Sequence, residues 1–189
     1  MKKIDAGLIP ISAGIILTNF DFTYDSFGRF DLSPGFVGYG LTAMGLGRWT
    51  GLSKQFAIAR LCAWTLIPVA IIRWLCPLAL LQFFNFMDAA INASMIWTLL
   101  SGIKVYSARE NQPYLLKWSL VYRVAYIGLF LVIPALVIVA SLVLPPPSEL
   151  EMRFAIGLVT GFFWIVLPFI ILDLLFQFNR ILNRHSFSQ

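Results

Sequence analysis

The sequence predicts an all-α fold, a polytopic transmembrane bundle of six helices arranged as three hairpins with both termini on the cytoplasmic side. Three observations lead there. Hydrophobic residues make up 59% of the 189 positions and charged residues only 12%, with a mean hydropathy of +0.82, whereas soluble domains carry about 25% charged residues. Two runs, 124–144 and 154–172, contain no charge and flank a Pro145-Pro146-Pro147 turn. Finally, a six-span reading places eleven of the fourteen Lys and Arg residues on one side. A hydrocarbon core about 30 Å thick takes roughly 20 apolar residues per helix, so six spans use most of the chain and leave no room for a soluble catalytic domain.

The first hairpin is predicted from 6–20 and 35–49. Each arm of 15 residues reaches only about 22 Å, so the pair either thins the bilayer or stays re-entrant. Asp31 or Ser33 caps a helix that opens on Pro34, where a missing N–H costs nothing. Within the second arm Ala43, Gly47 and Gly51 recur every fourth residue. Such ladders let helix backbones approach closely, here against the first helix or against a second copy of the chain.

The second hairpin is predicted from 56–74 and 77–103, turning near Arg73 to Pro77. Charge decides between two crossings and one. Two crossings leave Lys2, Lys3, Arg48, Lys54, Arg60, Lys104, Arg109, Lys117, Arg123, Arg180 and Arg184 inside, against Arg29, Arg73 and Arg153 outside. One crossing buries Arg73 in the membrane and leaves six inside and seven outside, which abolishes the excess of cytoplasmic Lys and Arg that orients membrane proteins. The third hairpin follows as 124–144 and 154–172, with Ser148 as a cap after the proline turn. Before it, Lys104 to Arg123 reads as the longest inside loop, and Pro113 to Tyr122 reads as an interfacial helix entering the fifth span. Pro68, Pro134 and Pro168 interrupt their spans, as proline does in membrane helices whose neighbours satisfy the freed carbonyl.

Asp88 is the costly residue of the fourth span, because a charge at the bilayer centre costs about 2.5 kcal/mol or more. With Gln82, Asn85 and Asn92 it forms a polar stripe along one side of the helix. Such a stripe suits a solute or ion path, and equally the hydrogen-bonding contacts that join membrane helices at about 0.6 kcal/mol each. Arg60 and Arg73 are the candidate partners for Asp88. In the first outer loop Asp21, Asp25 and Asp31 form an acidic group with a weak capacity for a cation. The loop fails as an EF-hand, since Gly28 stands eighth and Leu32 twelfth from Asp21 where the ligand set needs Gly sixth and Glu twelfth. Phe20, Phe22, Tyr24, Phe27, Phe30, Phe36 and Tyr39 around it read as an aromatic belt.

The segments Lys3 to Leu8, Ile16 to Phe20, Asp31-Leu-Ser-Pro34-Gly-Phe-Val-Gly38-Tyr39-Gly-Leu41 and Gly45-Leu46 resemble uncharacterised integral membrane proteins of Firmicutes. Those proteins carry an Asp-x-x-Pro-x-Phe-x-Gly-Tyr segment, from whose usual form this chain departs at Ser33 and Gly35. The resemblance covers residues 1–52 and implies a hairpin start and a bacterial plasma membrane. It implies no reaction.

The residues give no catalytic constellation. There is no glycine-rich phosphate loop, no Gly-x-Ser-x-Gly, no His-Glu-x-x-His and no second aspartate spaced to work with Asp88. The one histidine, His185, and two cysteines build no metal site, so neither metal nor cofactor is expected. A net charge of +5 indicates contact with anionic lipid rather than nucleic acid. The function expected is a noncatalytic membrane component that assembles with itself or with a membrane partner. The alternative is a permease using the Asp88 face, and a third reading is a lipid-modifying enzyme.

Overall fold

The computed structural model describes residues 2–19, 35–75, 78–127 and 168–183, and all of them lie in helices or in the short turns between helices. Six helices are present there: α1 Lys2–Asn19, α2 Gly35–Gly47, α3 Lys54–Leu75, α4 Leu78–Arg109, α5 Pro113–Ile127 and α6 over 168–183. No strand occurs among the described residues. The acidic loop with Asp21, Asp25 and Asp31, the Pro34 helix start, Pro134, the proline triplet with Ser148, and nearly all of the 124–144 and 154–172 segments lie outside them.

Two helices contain windows long and apolar enough to cross a membrane, Lys54–Ile72 and Phe86–Arg109. Only 33% and 44% of those windows are buried within the protein, whereas a core helix of a soluble domain is buried along most of its length. Large apolar side chains point outward instead, among them Leu61, Trp64 and Ile72 on α3 and Phe83 and Phe86 on α4. Hydroxyls along these helices bond back to their own backbone: Thr65 to the Cys62 carbonyl, Ser94 to Ala90, Thr98 to Ser94, Ser101 to Trp97 and Ser107 to Ile103. In an apolar setting an unpaired hydroxyl is costly, and this local bond is the cheapest way to satisfy it.

Consecutive helices are neighbours, with α1 on α2, α2 on α3, α3 on α4 and α4 on α5. The α1–α2 contact is made by glycines in a ladder different from the expected one. On α1 Gly7 and Gly14, and on α2 Gly38 and Gly45, meet crosswise: a methyl on Gly45 would lie 2.6 Å from the Gly7 carbonyl oxygen, and one on Gly38 would lie 2.9 Å from that of Gly14. The helices run antiparallel with backbone against backbone. Of the ladder expected from sequence, only Ala43 is in the core. Gly47 faces the Arg60 guanidinium of α3, and Gly51 lies in the turn after α2 with open space around it.

The connections explain themselves residue by residue. After α2 the chain tightens into i→i−3 bonds, Arg48 N–H to Gly45 O at 3.1 Å and Trp49 N–H to Leu46 O at 2.9 Å. Ser53 then caps α3, its hydroxyl accepting from the Gln55 N–H at 3.3 Å. α4 continues to Arg109 through the first part of the expected inside loop, a three-residue turn follows at 110–112, and the helix expected from Pro113 is α5. Asn111 takes the left-handed conformation there, with φ of 52°. The Gln112 N–H reaches the Ser107 carbonyl at 2.8 Å and the Asn111 N–H that of Ala108 at 3.4 Å, the paired closure that ends a helix on a left-handed residue. Pro113 follows as the first residue of α5, where its missing N–H is not needed. α6 likewise continues through the expected tail, eleven residues beyond position 172.

The core closes at one end of the bundle on four aromatic rings. Trp49, Phe56 and Phe178 are fully buried, with centroids 5.6 Å apart for Trp49–Phe56, 5.2 Å for Trp49–Phe178 and 5.9 Å for Phe56–Phe178. Tyr106 adds an edge contact to Phe178 at 5.3 Å. These distances fall in the range where aromatic pairs attract beyond their buried area. Gly7 sits against the Trp49 indole and Gly102 against the Phe56 ring. The start of α1, the turn after α2, the last turns of α4 and the second half of α6 are therefore gathered at the same end.

Candidate functional site

Asp88 is the eleventh residue of the 32-residue α4, which places it well up the helix from the aromatic end. Gly102, against Phe56, is fourteen residues further on, about 21 Å along the axis at 1.5 Å per residue.

The partner of Asp88 is Tyr39 of α2. The phenol hydroxyl donates across both carboxylate oxygens, at 3.3 Å to Oδ1 and 3.4 Å to Oδ2. One proton shared at these distances makes a loose bond, since hydroxyl–oxygen bonds are usually about 2.7 Å. Tyr39 is only 4% exposed, so it is a core residue and not the belt residue its position near the end of a span suggested. Tyr126 of α5, 5% exposed, lies within electrostatic reach of the same carboxylate. Three helices thus meet at Asp88. Arg60, an expected partner, instead lies on the exposed side of α3 with its guanidinium over Gly47. The side chain of Arg73, like those of Gln82 and Asn85, falls outside the described residues.

Of the expected polar stripe, Asp88 and Asn92 have described side chains and fall within about 40° of arc at 3.6 residues per turn. Asn92 is half-buried, as is Asp88. A second polar patch lies on α6, where Asp173, Gln177 and Arg180 border an open depression. Asp173 is exposed and accepts a bond from Gln177 Nε2 at 2.7 Å.

On α5 the rings of Tyr114, Trp118 and Tyr122 line up at i, i+4 and i+8, the first pair tilted with centroids 6.1 Å apart and the second stacked at 5.5 Å. One residue on, Arg123 lays its guanidinium 3.6 Å from the centre of the Trp97 ring of α4. Sequence reasoning did not single out Tyr126, this cation–π pair or the aromatic cluster. The paired glycines did leave a signal, the identical spacing of seven in Gly7/Gly14 and Gly38/Gly45.

Comparison with protein-family models, with characterised proteins and with solved structures finds no match for this chain.

Proposed function

We propose that this chain is a multi-pass membrane protein without catalytic activity, a component that assembles with itself or with a membrane partner. The observation that carries the reading is the use made of Asp88. Its carboxylate is engaged by a buried tyrosine of another helix, with a second buried tyrosine close by. That is a tie between helices.

Exposed apolar surface on α3 and α4 supports the membrane setting. The gathering of the α1 start, the turn after α2, the last turns of α4 and the second half of α6 at one end supports the hairpin arrangement, because those segments hold Lys2, Lys3, Arg48, Lys104, Arg109 and Arg180, six of the eleven Lys and Arg assigned to the inside. On that arrangement six spans leave both termini cytoplasmic, and the resemblance at residues 1–52 makes the bilayer a bacterial plasma membrane.

The test compares Asp88→Asn, Asp88→Ala and Tyr39→Phe for folded yield, assembled state on gel filtration and flux of ions or small solutes into liposomes. Asn keeps an acceptor for the Tyr39 hydroxyl and should behave almost as the wild type. Ala removes the carboxylate that accepts from the Tyr39 hydroxyl, a loss of about 1–3 kcal/mol, and should lower folded yield or assembly, with no flux in any variant. A wild-type protein that carries a solute flux, lost in a folded and normally assembled Asp88→Asn, overturns the proposal in favour of a permease.

A further inference from the structure

Arg123 is half-buried, and its Nε is fully buried with no hydrogen-bond acceptor. The guanidinium is held 3.6 Å above the Trp97 ring. A ring face stabilises the charge from one side and accepts none of the N–H groups in the plane. Asp173, which reaches the neighbouring Tyr122 electrostatically, is hydrogen-bonded by Gln177 and makes no pair with Arg123. The guanidinium is therefore held and oriented by a ring face, and its Nε finds no acceptor among the described residues.

A second cation stands on the same side. Lys104 is half-buried and lies seven residues, two turns, after Trp97, which puts both on one face of α4. α4 and α5 run in opposite directions through a three-residue turn, so both cations stand on the same hairpin. Trp118 and Tyr122, stacked at 5.5 Å, supply the amphipathic rings that favour the headgroup layer.

The geometry points to an oxyanion site on the α4–α5 hairpin, in which Arg123, oriented by Trp97, and Lys104 hold a phosphate. Its fork geometry matches two phosphate oxygens at once. The phosphate comes either from an anionic phospholipid headgroup or from a free phosphate ion. This inference rests on the membrane reading above and not on whether the protein assembles.

The experiment uses the full chain, purified in dodecyl maltoside and delipidated. Native mass spectrometry counts bound phosphatidylglycerol and phosphatidylcholine, and a thermal-shift titration uses inorganic phosphate. The expected result is retention of phosphatidylglycerol in preference to phosphatidylcholine, weakened at least about tenfold by Arg123→Gln and partly by Trp97→Leu and Lys104→Gln. Arg48→Gln, in the exposed turn after α2, should have no effect. Arg123→Lys keeps the charge but not the fork and should fall between. Stabilisation by phosphatidylglycerol alone assigns a lipid, and stabilisation by inorganic phosphate alone, equally sensitive to Arg123→Gln, assigns a free ion. The inference is overturned if folded wild type binds neither probe, or if folded Arg123→Gln and Arg123→Lys bind as the wild type does. Folding and oligomeric state, read by gel filtration on the same samples, separate this outcome from failure of the assembly proposal.

Discussion

Adding one methyl group at Gly45 should part the first two helices. The new Cβ would lie 2.5 Å from Ile11 Cγ1, 2.6 Å from the Gly7 carbonyl oxygen and 2.9 Å from the Ile11 amide nitrogen. Two of these three atoms are backbone and cannot swing aside. Relief to ordinary contact, at about 3.5 Å, requires the helices to separate by roughly 1 Å, and a gap of that size forfeits about a quarter to a half of the dispersion energy of the atoms facing it. Gly45→Ala should therefore cost about 1–3 kcal/mol, the usual range for overpacking. Gly14→Ala, which meets the Gly38 carbonyl and the Thr42 side chain and amide, should cost as much. The double variant should cost less than the sum, because helices already parted accept the second methyl more easily. Gly47→Ala meets only the flexible end of Arg60, at 3.3 Å, and should stay within about 0.5 kcal/mol. Gly51→Ala meets nothing and should be neutral, or gain up to about 1 kcal/mol by restricting the unfolded chain. The assay is an SDS titration in dodecyl maltoside micelles followed by tryptophan fluorescence. The reasoning is refuted if Gly45→Ala resists SDS as well as the wild type, or if Gly51→Ala loses as much as Gly45→Ala.

Two more outcomes follow from the core and the turn. Phe178→Ala removes the ring that touches Trp49, Phe56 and Tyr106 and should cost about 3–5 kcal/mol, with a red shift of tryptophan emission as Trp49 meets solvent; an unshifted spectrum and unchanged stability would contradict the cluster. At the left-handed position of the 110–112 turn, Asn111→Gly should be neutral or slightly stabilising and Asn111→Val should cost about 1–2 kcal/mol, measured by the same titration; equal behaviour of the two would exclude a left-handed residue there.

How much of this was readable beforehand varies with how local the determining physics is. The bounds of α3 and the start of α4 follow from apolar length and from Ser53, and both fall close to the expected positions. The turn at Asn111-Gln112-Pro113 was equally local in origin, yet its polar residues were read as part of a long loop. The polar and basic residues from Lys104 to Arg109 masked the last turns of α4, while the helix expected from Pro113 is present as α5. The ladder at Ala43, Gly47 and Gly51 was selected on a spacing of four, which describes one helix in isolation. Two antiparallel helices repeat their contacts every seven residues, and only a comparison of the two arms reveals that repeat. Asp88 was recognised as the expensive residue, but its partner was not. Tyr39 lies forty-nine residues away, and a tyrosine near a span end is ordinarily a headgroup residue. Pairwise placement across the bundle is a tertiary property that no single segment encodes.

The clasp between Trp49 and Phe178 also bears on the order in which the molecule can be completed. The chain emerges from its N-terminus onward, so α1, α2, α3 and α4 can take up their neighbours while α6 is still unmade. During that interval the rings of Trp49 and Phe56 have no Phe178 against them. Until α6 arrives, Trp49 and Phe56 leave an aromatic socket without its third ring. Insertion factors or a partner chain acting on this protein during synthesis would meet that socket, a surface that the finished bundle has already covered.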